Sequence, residues 1–238
     1  MSGAGFAVLC AVVVLGALLQ VTIGFGLGLL GAPVIALIAP ELVPALVVVL
    51  ATGVTAVVLL LDRAHIDLRG TGWALAGRVP GVVGGALLVA WLPTSVLALC
   101  VAGMVVLGVL VSLWGFAPTP TRRAVVIAGM ASGVMGTATA IGGPPMAMVW
   151  QRFAGPRLRS TMSGFFLVGS VMSLVALAFA GAVTVDSLSY AALLAPAAAL
   201  GVALARPLGH RLDVRRTRAV AMVLAVTGAA ILTVQQFV

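Results

Sequence analysis

Apolar stretches of about 18 or more residues recur from one end of the chain to the other, each long enough for a helix to cross the hydrocarbon of a bilayer. In lipid, backbone donors and acceptors must be satisfied internally, so the expectation is a polytopic membrane protein built from helices. Composition agrees. Of the 238 residues, 63% are apolar and only 8% charged, whereas a soluble domain carries about 25% charged residues. A soluble enzyme, a secreted disulfide scaffold and a disordered chain are all excluded.

The formal charge of +8 would suggest nucleic acid in a soluble protein. Here the basic residues are all Arg, and all but Arg78 sit in or beside short loops, where they act as topology determinants under the positive-inside rule. No nucleic-acid partner is expected; the lipid bilayer is. Cys10 and Cys100 lie in apolar runs and read as small buried hydrophobes, so neither a disulfide nor a metal site is expected. The N-terminal stretch lacks a basic leader region and a small-residue cleavage site, so a cleaved signal peptide is not expected.

Six simple spans are predicted, over 42–61, 71–91, 93–114, 160–180, 187–206 and 216–236. Two further apolar runs are interrupted. The run from 4 to 39 contains Gly24-Phe25-Gly26-Leu27-Gly28 and Gly31-Ala32-Pro33; the run 124–151 contains Gly142-Gly143-Pro144-Pro145. Arg122 and Arg123 precede the second run, and Arg152, Arg157 and Arg159 follow it. With both clusters cytoplasmic, the run enters and leaves on one side. As helix it would measure about 42 Å, too short to cross a ~30 Å core twice. A re-entrant hairpin of two short helices, broken at Gly-Gly-Pro-Pro, meets both conditions. The 62–70 loop, with Arg63 and Arg69, and the 206–218 loop, with Arg206, Arg211, Arg215, Arg216 and Arg218, then fall on the cytoplasmic side. Both termini are placed outside.

The halves resemble each other. A shift of 112 aligns Gly24 with Gly136, Gly31 with Gly143 and Pro33 with Pro145; a shift of 116 aligns Pro80 with Pro196 and Gly85 with Gly201. The predicted organisation is a first transmembrane repeat over 1–115, a cytoplasmic linker over 116–123 and a second repeat over 124–238. Each repeat is a broken helical hairpin plus three transmembrane helices. Three is odd, so the second copy enters from the opposite face, giving two inverted repeats of the kind that bring paired broken helices together near the midplane of secondary transporters.

Ser132-Gly133-Val134-Met135-Gly136, then Ile141-Gly142-Gly143-Pro144-Pro145 and Arg159-Ser160-Thr161, resemble the second-half signature of the TauE/SafE sulfite-exporter family. Gly24-Phe25-Gly26, Leu30-Gly31-Ala32-Pro33 and Pro40-Glu41-Leu42-Val43-Pro44 resemble its first-half signature, with Ala32 where many members carry a denser glycine run. The resemblance implies a multi-pass inner-membrane carrier for small sulfur-containing anions: sulfite, organosulfonates or related organic acids. An interior-negative potential favours exit of such an anion by about 2.3 kcal/mol per charge per 100 mV, which permits uncoupled export.

An anion in low dielectric needs donors in place of its water. Half-helix N-termini supply them, and Gly142, Gly143, Pro144 and Pro145 would begin one such half-helix; Gly31, Ala32 and Pro33 would begin the other. The alternative is that these glycines only allow close helix packing. Gln20, Thr22, Thr52, Ser132 and Thr137 are side-chain candidates, with Thr55, Thr139, Ser163, Ser170 and Ser173 behind them; hydroxyls in membrane helices commonly bond their own backbone instead. Arg78, inside a span, either snorkels to the interface or meets the anion. Arg159 either marks topology or attracts substrate.

No Asp or Glu falls mid-span, and His65 and His210 lie in basic loops, so neither a buried proton relay nor an intramembrane enzyme is expected. Glu41, at the mouth of the first hairpin, is the least implausible proton-coupling residue. No cofactor is implied. The readings that remain are a carrier for small sulfur-containing anions, and a channel or carrier for other small organic anions; self-association is left open.

Overall fold

The computed structural model describes residues 3–24, 26–61, 66–114, 119–153, 155–209 and 214–235. Phe25, Asp62, Arg63, His65, His210, Arg211 and Asp213 lie outside the described residues, as do residues 116–118 of the predicted linker. Among the described residues there are ten α-helices and no strand: α1 Gly3–Ile23, α2 Leu27–Ile38, α3 Ala45–Leu61, α4 Leu68–Trp91, α5 Thr94–Trp114, α6 Arg122–Thr139, α7 Gly143–Trp150, α8 Gly155–Phe179, α9 Val185–Gly209 and α10 Val214–Gln235. Gly3–Thr22, Leu68–Trp91, Arg157–Phe179 and Val185–Ala205 are long and apolar enough to cross a membrane. The described apolar parts of α3, α5 and α10 are shorter, as is α2.

Every predicted span corresponds to a helix, and capping chemistry accounts for shifted starts. Asp67 opens α4 three residues before the expected boundary, its Oδ1 accepting from Gly70 N at 3.1 Å. Thr184 and Ser187 form a reciprocal capping pair before α9, with Thr184 N donating to Ser187 Oγ at 3.0 Å and Ser187 N to Thr184 Oγ1 at 3.1 Å. The broken runs differ from expectation in their arms. At α1, with 21 residues, the long arm measures about 31 Å, enough to cross a membrane unaided. In the second run α6 has 18 residues and α7 only 8, so the hairpin is not two short helices but a long arm of about 27 Å with a short return of about 12 Å.

Of the two interruptions expected in the first run, only the one at 24–28 breaks the helix, so the half-helix starts earlier than predicted. Gly24 has φ 86°, and α2 starts at Leu27, so Gly31, Ala32 and Pro33 lie inside α2 rather than at its start. A left-handed φ is freely available to glycine, which is why the chain turns at Gly24 and not at the proline. In the second half Ala140 has φ 61° and α7 starts at Gly143, as the Gly-Gly-Pro-Pro run predicts. Gly24 and Ala140, Gly26 and Gly142, and Leu27 and Gly143 are each related by the 116-residue offset that also relates Pro80 to Pro196. The shift of 112 is thus replaced at the hairpins by the same 116.

Helix neighbours follow this offset. α4 packs on α6 as α9 packs on α1, α4 on α8 as α9 on α3, and α5 on α7 as α10 on α2; α3 meets α8 and α5 meets α10. The tightest interface is α4–α6. A Cβ on Gly81 would run into the carbonyl oxygen of Met130, one on Gly77 into that of Val126, and one on Gly129 into that of Ala74. Glycine at four-residue spacing lets the backbones touch, the usual source of helix association in lipid. The opposite face of α4 exposes Val79, Val83 and Leu87. Large apolar groups outside and small ones inside is the arrangement a hydrocarbon solvent allows.

One end of the bundle gathers the starts of α4, α6 and α8. Arg122 lies 3.4 Å over the Trp73 ring, Asp67 N donates to Thr161 Oγ1 at 3.1 Å, and Arg157 approaches Asp67 to 3.9 Å. Arg122 and Arg157, one from each flank of the second hairpin, therefore lie at the same end.

Candidate functional site

The two breaks touch. Gly28, in the first turn of α2, lies so close to the carbonyl oxygen of Ala140 that a Cβ there would overlap it. Around this contact is a cavity of about 50 Å³, where a single water needs about 10–15 Å³, so a small polyatomic ion fits. Its wall is built by both helix starts, Gly26, Gly28 and Leu29 on one side and Gly142, Gly143 and Pro144 on the other, together with Gln20, Thr55, Ser170 and Arg78. A larger groove of about 790 Å³ between α3 and α9 is lined only by Val, Leu, Ala and Gly, so it offers an anion no side-chain donor.

Helix geometry leaves the first-turn N–H groups of α2 and α7 without partners inside their own helices. Gln20 Oε1 accepts from Leu27 N at 3.3 Å, which leaves the side-chain NH2 as that residue's donor at the cavity. In α7, Pro144 and Pro145 occupy the first turn and remove two donors that no helix bond needs. Both helix starts present the positive end of their dipole to the same space. At the second break, Thr139 Oγ1 donates to Met135 O at 2.7 Å and accepts from Ile141 N at 3.4 Å, holding the turn around Ala140.

Arg78 is the unexpected member. It does not snorkel: only 2% of it is exposed. Nη1 donates to Ser132 Oγ at 2.9 Å, and Nη2 reaches Ser173 Oγ at 3.5 Å. Cζ lies 4.9 Å from the Phe165 ring centroid and 5.8 Å from that of Phe166. Nε is buried without a hydrogen-bond partner. Arg78 makes no ion pair among the described residues. The snorkelling alternative fails because the glycine seam draws α4 inward against α6 and turns position 78 toward the interior.

The slot for the guanidinium is made by glycine. A Cβ on Gly169 would fall on Arg78 Nε, and one on Gly136 would come within 3.1 Å of Nη2. Ser132 joins this slot to the hairpin, accepting from Arg78 while donating to Gly142 O at 2.6 Å. Ser173 Oγ donates to Gly169 O at 3.0 Å and lies 2.8 Å from Thr137 Oγ1. Ser132 and Thr137 thus stand behind Arg78 instead of in the cavity wall.

Of the residues singled out from sequence, Gln20, Thr55, Arg78, Gly142, Gly143, Pro144 and Ser170 line the cavity. Thr22 and Thr52 do not; their hydroxyls donate to the backbone of Leu18 and Val48, at 3.0 and 2.7 Å. Gly31 and Pro33 are buried within α2, and Pro145 and Arg159 are also outside the cavity wall. Gly26 and Gly28 entered the sequence reading only as break glycines and Gly136 only as a repeat and signature glycine, without a site role; Phe166 and Gly169 were missed. The 116-residue offset, which pairs Gly26 with Gly142, was a further signal for the first break.

Two broken helices start at a shared cavity, within an all-helical bundle bearing membrane-length apolar helices, an arrangement that recurs in membrane transporters. A family model described as sulfite exporter TauE/SafE matches residues 8–232. The chain belongs to the TauE/SafE sulfite-exporter family. No curated protein and no solved structure matches it.

Proposed function

We propose that this chain is a secondary transporter of the bacterial-type inner membrane, exporting small sulfur-containing anions such as sulfite or organosulfonates. One observation carries the reading: a buried guanidinium without a carboxylate partner stands beside a cavity into which two helices start. A charge in that position is costly unless something compensates it. An oxyanion does so, and the helix N-termini add dipoles and N–H donors. Arg78 is assigned the charge, Gln20 a neutral donor, and Gly28, Leu29, Gly142 and Gly143 backbone donors. Ser132 and Thr137 are positioning residues.

The 116-residue offset and the exchanged helix neighbours support an inverted pair of repeats over 1–115 and 124–238, joined by a cytoplasmic linker. With the Arg-rich end cytoplasmic, both termini lie outside. The alternative is a channel or carrier for other small organic anions, since channels also line pores with helix ends. Purified protein in liposomes loaded with radiolabelled sulfite or methanesulfonate decides between them. A carrier gives saturable flux that each anion competes away; flux linear in concentration with unitary currents contradicts the carrier, and no flux of either anion contradicts the substrate class.

A further inference from the structure

We infer that the protein works chiefly as an anion exchanger, moving one anion against another far faster than it releases anions unaccompanied. The inference deepens the transport reading above and rests on it.

It follows from the charge of the site. Arg78 faces Ser132 from α6 and Ser173, Phe165 and Phe166 from α8. The remaining polar side chains of the cavity wall, Gln20, Thr55 and Ser170, are neutral. Arg78 makes no ion pair among the described residues, so the site supplies no counter-charge of its own. A guanidinium does not release its proton in proteins. The site is therefore neutral with a monovalent anion bound and singly positive without one.

A carrier changes the side to which its site opens by closing it from water in between. With an anion bound, the closing site holds a compensated pair. Empty, it must close over a guanidinium whose Nε has no partner and which makes only two hydrogen bonds through its five N–H groups. That desolvation penalty falls on the empty return alone. One-for-one exchange uses only the loaded step, in both directions. Net efflux requires the empty return in every cycle.

The test uses proteoliposomes loaded with radiolabelled methanesulfonate, which stays monovalent across the pH range, with potential clamped at zero by potassium and valinomycin. Efflux is followed into buffer with or without unlabelled methanesulfonate. Exchange at least about tenfold faster than net efflux, at a ratio independent of pH between about 7 and 9, is the expected result. Equal rates overturn the inference while leaving the transport reading intact; no saturable flux overturns both. Arg78→Lys supplies a second measurement, because a buried ammonium sheds its proton where a guanidinium does not. Its exchange-to-net ratio falls toward one as pH rises. A ratio in Arg78→Lys as high and as pH-independent as the wild type's contradicts the assigned cause.

Discussion

Arg78→Leu is expected to abolish saturable anion flux while leaving the protein as stable as before, or more so. Both halves of this expectation come from the same burial. The guanidinium is 2% exposed, makes no ion pair, and leaves Nε without a hydrogen bond. Replacing buried ionic groups with apolar side chains of similar volume is often neutral or stabilising. Binding moves the other way. Removing one partner of a buried charge pair costs about 2–5 kcal/mol, a loss of roughly 30- to several-thousand-fold in affinity. Flux against concentration and thermal unfolding in detergent, on the same preparation, check both. A residue kept for structure alone would show the reverse pattern: reduced stability with flux per folded molecule unchanged. Gly169→Ala should weaken binding by displacing the guanidinium, whereas Gly164→Ala on the same helix meets only ordinary contacts with Ile66 and Leu59 and should not.

The largest stability loss is expected at Gly81→Leu. Even a methyl group there would overlap the Met130 carbonyl oxygen, a backbone atom that cannot rotate away, and would lie 3.1 Å from Gly133 Cα. α4 and α6 would have to separate, undoing the seam that includes Gly77 and Gly129 and withdrawing Arg78 from Ser132. Overpacking costs about 1–3 kcal/mol where side chains can adjust, and here the contact is with backbone. A cost near 3 kcal/mol lowers the midpoint by roughly 10 °C in a chain of this size. Gly103→Leu is the control, because a Cβ on Gly103 meets nothing within 4 Å. Comparable losses at both positions would mean that α4 and α6 do not meet backbone to backbone.

These outcomes bear on what could be read from the residues alone. Helix number and approximate bounds were legible because length and continuous apolarity are set by the bilayer. The second break was legible because Pro144 and Pro145 cannot continue an incoming helix but can start the next one. In the first run the same logic placed the half-helix start at Gly31 to Pro33. Pro33 sits inside α2, and the turn is made at Gly24, in the glycine run that also interrupts this stretch, because a glycine run permits a break without the fixed stop that proline gives. Arg78 was open to two readings because a helix pattern gives distance to the helix end but not the face turned inward. That face is set by Gly77, Gly81 and Gly85 meeting the α6 backbone at Val126, Met130 and Val134, a long-range match between two helices. Thr22 and Thr52 were plausible donors by type, but each hydroxyl is committed to its own helix backbone.

The central claim is that one anion sits between the two helix breaks, against Arg78. Selenite, shaped like sulfite and carrying an anomalous scatterer, tests it in a crystal of the wild-type protein. An anomalous peak is expected beside the Arg78 guanidinium, placed so that a selenite oxygen accepts from it, flanked by Gly28 and Gly142, and lost in Arg78→Leu. A peak elsewhere, with the space between the breaks empty at saturating selenite, would contradict it.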